Sequence, residues 1–131
     1  MKNIKQLELI NKYPNLFMDI SKPPTETSMC FGLECGNGWY DLIDRTCEKI
    51  QRILNGRNLR FTQIKEKFGS LRIYTQPYIE EIDDIIDKAE DESFEICENC
   101  GTTNNVITTN YGWVYTRCNN CLKKLKDEGL I

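Results

Sequence analysis

Four cysteines near the carboxyl end of the chain form two pairs with two residues inside each pair. The pairs are Cys97–Cys100 and Cys118–Cys121, with 17 residues between them. Structural zinc sites favour this separation, because each CxxC turn points both of its sulfurs at one ion. Gly101, directly after the first pair, suits the left-handed backbone that such a turn needs. The spacing predicts one Zn²⁺ in a closed cage of four thiolates, which is a structural site rather than a catalytic one.

The residues around the cysteines predict the elements that would hold them. Two short strands are expected at 106–109 and 113–117, and the second pair leads into a short helix with the sequence LKKLKDEGLI. A knuckle, a hairpin and a helix at the last ligand pair make the order of a treble-clef finger. A zinc ribbon would instead have a strand after the second pair. Redox-active CxxC pairs or free thiols are the alternative without a metal.

The absence of histidine and the positions of the other cysteines limit the reactions that the chain could catalyse. Histidine is absent, which excludes Ser-His-Asp triads, Cys-His dyads and imidazole-ligated zinc. With seven cysteines and no visible signal peptide, reduced thiols are expected rather than a disulfide framework. Cys47 lies on an apolar helix stripe and is expected to be buried. Cys30 and Cys35 flank a glycine-rich turn and are expected to stay reduced.

Two amphipathic helices are predicted from apolar residues spaced three and four apart. The first spans about 38–55, with Asn37 as its N-cap and Asn55-Gly56 as its stop signal. The second spans about 77–92 and opens at Pro77, where a missing N–H costs nothing. A shorter helix near the amino end is predicted from three apolar residues: Ile4, Leu7 and Ile10.

A β-hairpin is predicted between the two main helices. Its strands are expected at about 59–67 and 71–75, on either side of Gly69-Ser70. Ile64 breaks the alternation set by the earlier apolar residues, so a bulge is expected in the first strand.

These elements predict an α+β protein, with two amphipathic helices and a small antiparallel sheet. Residues 1–94 are expected to form this body, and residues 95–131 a zinc-binding module packed on it. The chain has 131 residues, of which 40% are hydrophobic and 28% charged, which fits one domain with a small appendage. No stretch approaches the ~20 apolar residues of a membrane span, so no membrane contact is expected.

The predicted hairpin carries basic side chains interleaved with aromatic ones. Such a surface can grip phosphates or stack a base, and the N–H groups at Gly69-Ser70 would come close to an anion. The structural alternative is that the acidic second helix packs beside the hairpin and neutralises it. A net charge of −3 is also far from that of a dedicated nucleic-acid binder. The candidate partner-binding or anion-binding residues are Arg60, Lys65, Lys67, Phe68, Gly69, Ser70, Arg72 and Tyr74.

Charge is divided unevenly along the chain. Residues 1–75 contain 12 basic and 8 acidic residues, whereas residues 76–131 contain 5 and 12. This division predicts a basic face and an acidic face, which either keep the protein soluble or contact a partner. The carboxylates of the second helix could also imitate the phosphates of a duplex.

Two further blocks of sequence carry a family resemblance. FGLECGNGWY at 31–40 and IKEKFGSLR at 64–72, together with the CxxC pairs and Trp113, resemble short zinc-finger-containing proteins encoded by tailed phages and prophages. The resemblance spans roughly residues 13–121. It implies a viral or mobile-element origin and action in the cytoplasm of a bacterial host, with takeover of the host or evasion of its defences as the task. It implies no catalytic residue and no substrate.

The expected function is therefore non-enzymatic. The protein would bind a host macromolecule, foremost a protein such as a defence component, and would inhibit or redirect it. The alternatives are a nucleic-acid-binding regulator that uses residues 57–74 and capture of a small anionic nucleotide there. An enzyme is disfavoured, because nothing in the sequence brings Glu34, Asp41 and Glu66 together and a cysteine nucleophile would lack a histidine base.

Overall fold

The computed structural model, which describes residues 1–131, contains four α-helices and two small β-sheets. The helices are α1 (Asn3–Lys12), α2 (Tyr40–Leu54), α3 (Glu80–Ser93) and α4 (Asn119–Asp127). The strands are β1 (Leu33–Glu34), β2 (Arg60–Lys67), β3 (Ser70–Gln76), β4 (Val106–Thr108) and β5 (Thr116–Cys118). The mixed α+β class is confirmed. None of the helices combines the length and apolar character that crossing a bilayer requires.

The larger sheet has the strand order β1-β2-β3. Strands β2 and β3 form the expected antiparallel hairpin, and the register shifts between Phe61 and Gln63, which confirms the bulge. The prediction of a purely antiparallel sheet is wrong, because β1 pairs in parallel with β2, placing Leu33 opposite Ile64. Strand β1 is only two residues long, so it is too short to show an alternating pattern.

The main core lies where α2 and α3 pack against each other and against the larger sheet. Trp39, Ile43 and Ile50 are fully buried, as the apolar stripe predicted for the helix at 38–55 requires. Each such side chain contributes about 1.5–3 kcal/mol relative to an exposed position. Ile53 has the spacing of the same stripe but is 39% exposed, since it lies at the edge of the apolar face. On α3 the buried residues are Ile82, Ile86, Ala89 and Ser93.

The beginning of α2 differs from the prediction. Asn37 is not its N-cap; it lies in a 3₁₀ turn, Asn37–Trp39, and its Oδ1 accepts a hydrogen bond from the backbone N–H of Lys2 at 2.9 Å. The N–H of Gly38 donates to the carbonyl of Glu98 at 2.7 Å. The backbone at this end is therefore held by the cysteine-rich segment. At the other end Asn55 adopts the left-handed C-cap conformation, so the stop signal is confirmed.

Helix α3 begins at Glu80, three residues later than predicted. Pro77 is not the first helical residue; it follows a cis peptide bond in the connection from β3. Ile79 is the extended N-cap, and its side chain packs against the main core. The first turn then holds Glu80, Glu81 and Asp83, whose charges are favourable at a helix N-terminus.

The apolar stripe predicted for α1 holds only at Ile10, which packs against the main core. Ile4 and Leu7 are 73% and 56% exposed, and the residue that α1 buries is Leu9. Hydrogen bonds fix this orientation: Gln6 Oε1 accepts from the N–H of Leu33 at 2.8 Å, and the amino terminus donates to the Leu33 carbonyl at 2.9 Å. Polar contacts with β1 thus decide which face of α1 is turned inward.

Candidate metal centre and adjoining surface

The four cysteines of the CxxC pairs converge. The Sγ atoms of Cys97, Cys100, Cys118 and Cys121 all lie within 4.8 Å of one another, and all four are free thiols. A tetrahedral ion with sulfur at about 2.3 Å holds its sulfurs about 3.8 Å apart. The Sγ atoms of Cys100 and Cys118 are separated by 3.8 Å. Four thiols at this separation fit a metal ion with a closed coordination shell.

Local backbone geometry aims each pair at the centre. The N–H of Cys100 points to Cys97 Sγ at 3.4 Å, and the N–H of Cys121 points to Cys118 Sγ at the same distance. Gly101 has φ +83°, which confirms the left-handed turn after the first pair. These donors offset negative charge on the sulfurs, so they would stabilise and orient the thiolates if a metal ion is bound.

The protonation of the cluster depends on these donors. Burial raises the pKa of Cys97, but backbone N–H donors outweigh it and lower the pKa to about 7. Burial and the neighbouring sulfurs raise the pKa of Cys121 to about 12, although Asn99 Nδ2 donates to its Sγ at 3.3 Å. Four sulfurs this close cannot all ionise without a cation between them. Metal binding would therefore displace protons from the cage.

The elements around the cage follow the predicted order. Strands β4 and β5 pair antiparallel, with Val106 opposite Cys118. Strand β5 begins at Thr116 rather than 113, because Thr109 Oγ1 accepts the N–H of Tyr115 at 2.9 Å and holds a wider turn. Helix α4 follows directly after Cys118, whose Sγ caps its first turn.

The GNG motif of the first block clamps the first cysteine knuckle. A Cβ atom at Gly36 would lie 2.3 Å from the carbonyl oxygen of Glu98, and one at Gly38 would lie 2.0 Å from that of Cys97. The Glu98 side chain also accepts the N–H of Gly36 at 2.9 Å, and its burial raises the pKa of the carboxyl. Trp39 Nε1 adds a hydrogen bond to the carbonyl of Ile96 at 3.0 Å. These contacts tie the start of α2 to the cysteine cluster. The division of the chain into residues 1–94 and 95–131 remains a prediction.

The FGS motif of the second block, at 68–70, packs the β2–β3 turn against the cysteine-rich segment. Thr116 Oγ1 donates to the carbonyl of Gly69 at 2.6 Å. A Cβ atom at Gly69 would lie within 3.0 Å of the side chains of Thr108, Val114 and Thr116. Gly69 has φ +84°, so a larger residue would be disfavoured here by conformation as well as by contact.

The predicted anion cradle at this turn is already filled by the protein. The N–H of Gly69 donates to Glu66 Oε2 at 2.7 Å, and the N–H of Leu71 donates to Ser93 Oγ at 3.0 Å. Ser70 is fully buried. The expectation that Gly69-Ser70 offers free N–H groups to a ligand is therefore wrong.

Two of the predicted basic residues are also engaged within the protein. Arg72 donates to Ser70 Oγ at 2.9 Å and lies 3.4 Å from Glu90 of α3. Arg60 lies 3.2 Å from Asp19, which also pairs with Lys22 at 2.9 Å. The alternative that α3 neutralises the hairpin holds only for Arg72. The contact of Arg72 with Glu90 is the one ion pair between the hairpin and that helix.

Replacing Asp19 with asparagine is expected to lower the free energy of unfolding by about 2 kcal/mol at pH 7. The carboxylate is 1% exposed, whereas its two cationic partners can turn to solvent. Burial opposes ionisation, but hydrogen bonds from Lys22 and Thr27 and the charge of Arg60 hold the pKa of Asp19 below its usual value. Because the folded pKa is the lower one, this stabilisation is present above about pH 4 and is lost as the pH falls further. Urea unfolding from pH 7 to pH 3 would test this; a constant difference between the variant and the parent would contradict it.

The remaining basic residues border a cavity of about 280 Å³ between the β2–β3 turn and the β4–β5 turn. We call it the Phe68–Trp113 cavity. Phe68 is 70% exposed and Trp113 is 73% exposed. Lys65 and Lys67 form no ion pair with any residue of the chain. The full lining is Lys65, Glu66, Lys67, Phe68, Gly112, Trp113 and Val114.

The sequence therefore predicts the side of this cavity formed by the β2–β3 turn but not the side formed by the β4–β5 turn. The basic and aromatic residues of the hairpin predict a surface at Lys65, Lys67 and Phe68, whereas Trp113 is predicted only as the first residue of a strand and as part of the family resemblance. The only sequence signal for a surface role of Trp113 is that this large aromatic residue directly follows the turn at Gly112. Tyr74 lies elsewhere, in a separate open depression together with Arg60.

The other cysteines take up structural positions. Cys47 is 1% exposed in the main core, as expected. Cys35 is also buried, and Cys30 Sγ lies 3.5 Å from the carbonyl of Thr27. Neither forms a disulfide.

Comparison of the chain with family models, with curated proteins and with solved structures finds no match. Its function must therefore be inferred from the cysteine cluster and the adjoining surface.

Proposed function

We propose that the protein is a non-enzymatic binding module built around one structural Zn²⁺, in a treble-clef arrangement. The support for zinc is the donor set, since four thiolates in a tetrahedron suit Zn²⁺. A helix rather than a strand follows the second pair, which favours a treble clef over a ribbon. When bound, the ion would supply a cross-link between the knuckle of Cys97–Cys100 and the start of α4.

The binding surface that we assign is the Phe68–Trp113 cavity. The observation that carries this assignment is the exposure of two large aromatic side chains on adjacent turns. Exposed aromatic residues are over-represented as anchors in protein–protein interfaces. The contacts of Gly69 and Thr116 hold the two turns together, so the surface exists only while the cysteine-rich module is folded.

We propose that the partner is a protein of a bacterial host, as the resemblance to phage-encoded proteins implies, and that binding inhibits or redirects it. A component of host defence fits that role. A nucleic-acid-binding regulator is the second candidate, supported by the same lysines and aromatic rings. Only two basic side chains remain unpaired at this surface, which is few for a protein that grips a phosphate backbone.

The test is affinity capture from bacterial lysate with the parent protein and the double variant F68A/W113A as baits. A host protein is expected to be retained by the parent and lost by the variant, because truncating interface anchors costs about 2 kcal/mol or more each. Y78A is the matched control, since Tyr78 is also 70% exposed but lies outside the cavity. Equal capture by the parent and the double variant would contradict the assignment.

A further inference from the structure

We infer that the Phe68–Trp113 cavity recognises an acidic peptide segment of the partner, with one large apolar side chain inserted between the two rings. This inference rests on the proposed function and specifies the chemistry of its partner. The cavity is close to the lower limit of ligand pockets in volume, which leaves room for about one large side chain.

The two rings leave an opening for such an anchor. Phe68 and Trp113 line the same cavity but do not stack on each other; the ring pair within the chain is Phe17 with Phe61, at 5.1 Å between centroids. Val114 provides a third apolar wall, and its side chain also packs toward the turn at Gly69. An inserted apolar side chain would thus contact three apolar groups that are now partly open to water.

The charge at the rim of the cavity favours particular residues on either side of the inserted apolar side chain. Lys67 Nζ lies 5.8 Å from the centroid of the Phe68 ring, and neither it nor Lys65 forms an ion pair, although Glu34 lies opposite Lys65 in the register of β1 with β2. Glu66 is the one carboxylate in the lining, and its Oε2 already accepts the N–H of Gly69. The uncompensated charge at the rim is therefore positive, and carboxylates on either side of the anchor would complement it.

A peptide fits this surface better than a nucleic-acid strand. A strand needs a continuous track of cations, but Arg72, opposite Lys65 in the sheet, is held by Glu90, and Arg60, at the far end of β2, is held by Asp19. Two lysines beside an apolar anchor site match a short segment with local acidic groups.

Selection of random dodecapeptides displayed on phage, against the zinc-loaded full chain, tests the inference. Recovered peptides are expected to share one large apolar residue with Asp or Glu within two positions of it. The variant K65E/K67E is expected to select Lys or Arg at those flanks instead. The variant K123E/K126E makes the same charge change on α4, outside the cavity, and is expected to select the parental motif.

Titration of the most enriched peptide gives the quantitative arm, with Trp113 fluorescence as the readout. Trp39, the other tryptophan, is fully buried and is expected to contribute a constant signal. The dissociation constant is expected to rise at least about tenfold in K65E/K67E, which corresponds to about 1.4 kcal/mol. Flanks without acidic bias, unchanged affinity in K65E/K67E, or displacement of the peptide by ATP or oligodeoxythymidine would overturn the inference.

The two proposals fail separately. A host protein captured through Phe68 and Trp113, with selected peptides that lack acidic flanks, would refute the inference and leave the proposed function standing. Acidic peptides selected by the cavity, with no host protein captured, would refute the proposed function and leave the recognition chemistry standing.

Discussion

Replacing Cys118 with serine is expected to abolish metal binding and to unfold the module that contains the cage. Cys118 is one of four sulfurs within 4.8 Å of one another, and it also caps the first turn of α4. A structural Zn²⁺ contributes about 10–16 kcal/mol of apparent binding energy in small zinc domains, which is as large as the whole stability of a typical domain. The module has few other sources of stability, since its own apolar cluster contains three buried residues, all of them cysteines, and α4 adds only Leu122 and Leu125.

Metal content after gel filtration and the dispersion of amide signals from β4, β5 and α4 would measure this loss. C30S is the matched control, because Cys30 is a free thiol outside the cage and its only polar contact is with the Thr27 carbonyl. We expect C30S to retain the metal and the fold. A C118S protein that keeps both would contradict a cage that needs four sulfurs.

Replacing Gly38 with alanine is expected to lower the free energy of unfolding by about 3 kcal/mol and Tm by roughly 10 °C. The added Cβ would lie 2.0 Å from the Cys97 carbonyl oxygen and 2.6 Å from the carbonyl atoms of Glu98. These are backbone atoms next to a metal ligand, so they cannot rotate away. Relief of the clash must displace the knuckle, break the hydrogen bond between Gly38 and Glu98, and weaken metal affinity.

G56A is the control for this prediction. A Cβ at Gly56 would meet no atom within 4 Å, but its φ of +89° makes alanine unfavourable by about 1 kcal/mol. Gly38 has no positive φ, so a larger loss in G38A than in G56A can come only from the contact of the Asn37–Trp39 turn with the knuckle. Thermal unfolding of both variants with metal present would test this, and equal losses would contradict the clamp.

The parts of the molecule that the sequence predicted well are those determined by local spacing. The CxxC pairs, the stripes on α2 and α3, the bulge near Phe61 and the left-handed Gly101 each depend on a few neighbouring residues. Residue type and interval alone predict each of these features, with Ile53 at the edge of the α2 stripe as the exception.

The parts that were missed depend on contacts between distant segments. Gln6 turns α1 by bonding to Leu33, although Ile4 and Leu7 have the spacing of a buried face. Likewise, the turn at Gly69-Ser70 has residue types typical of an anion-binding turn, but the Leu71 N–H donates to Ser93 of α3 and the Gly69 carbonyl accepts from Thr116 of β5. The spacing of residues along the chain does not predict such long-range hydrogen bonds.

The candidate surface shows the same division. Lys65, Lys67 and Phe68 were visible as a basic and aromatic cluster, but the structure shows that Arg60 and Arg72 are neutralised and that Trp113 completes the cavity. The cavity arises because the β2–β3 turn packs against β5, through contacts between residues 47 positions apart.

The central claim is that one Zn²⁺ joins the four sulfurs and holds the surface in place. Native mass spectrometry of freshly purified protein, combined with X-ray absorption at the zinc edge, tests it most directly. The expected result is one zinc per chain with four sulfur neighbours at about 2.3 Å. A chain that carries no metal, or an ion with oxygen or nitrogen ligands in place of sulfur, would contradict the account.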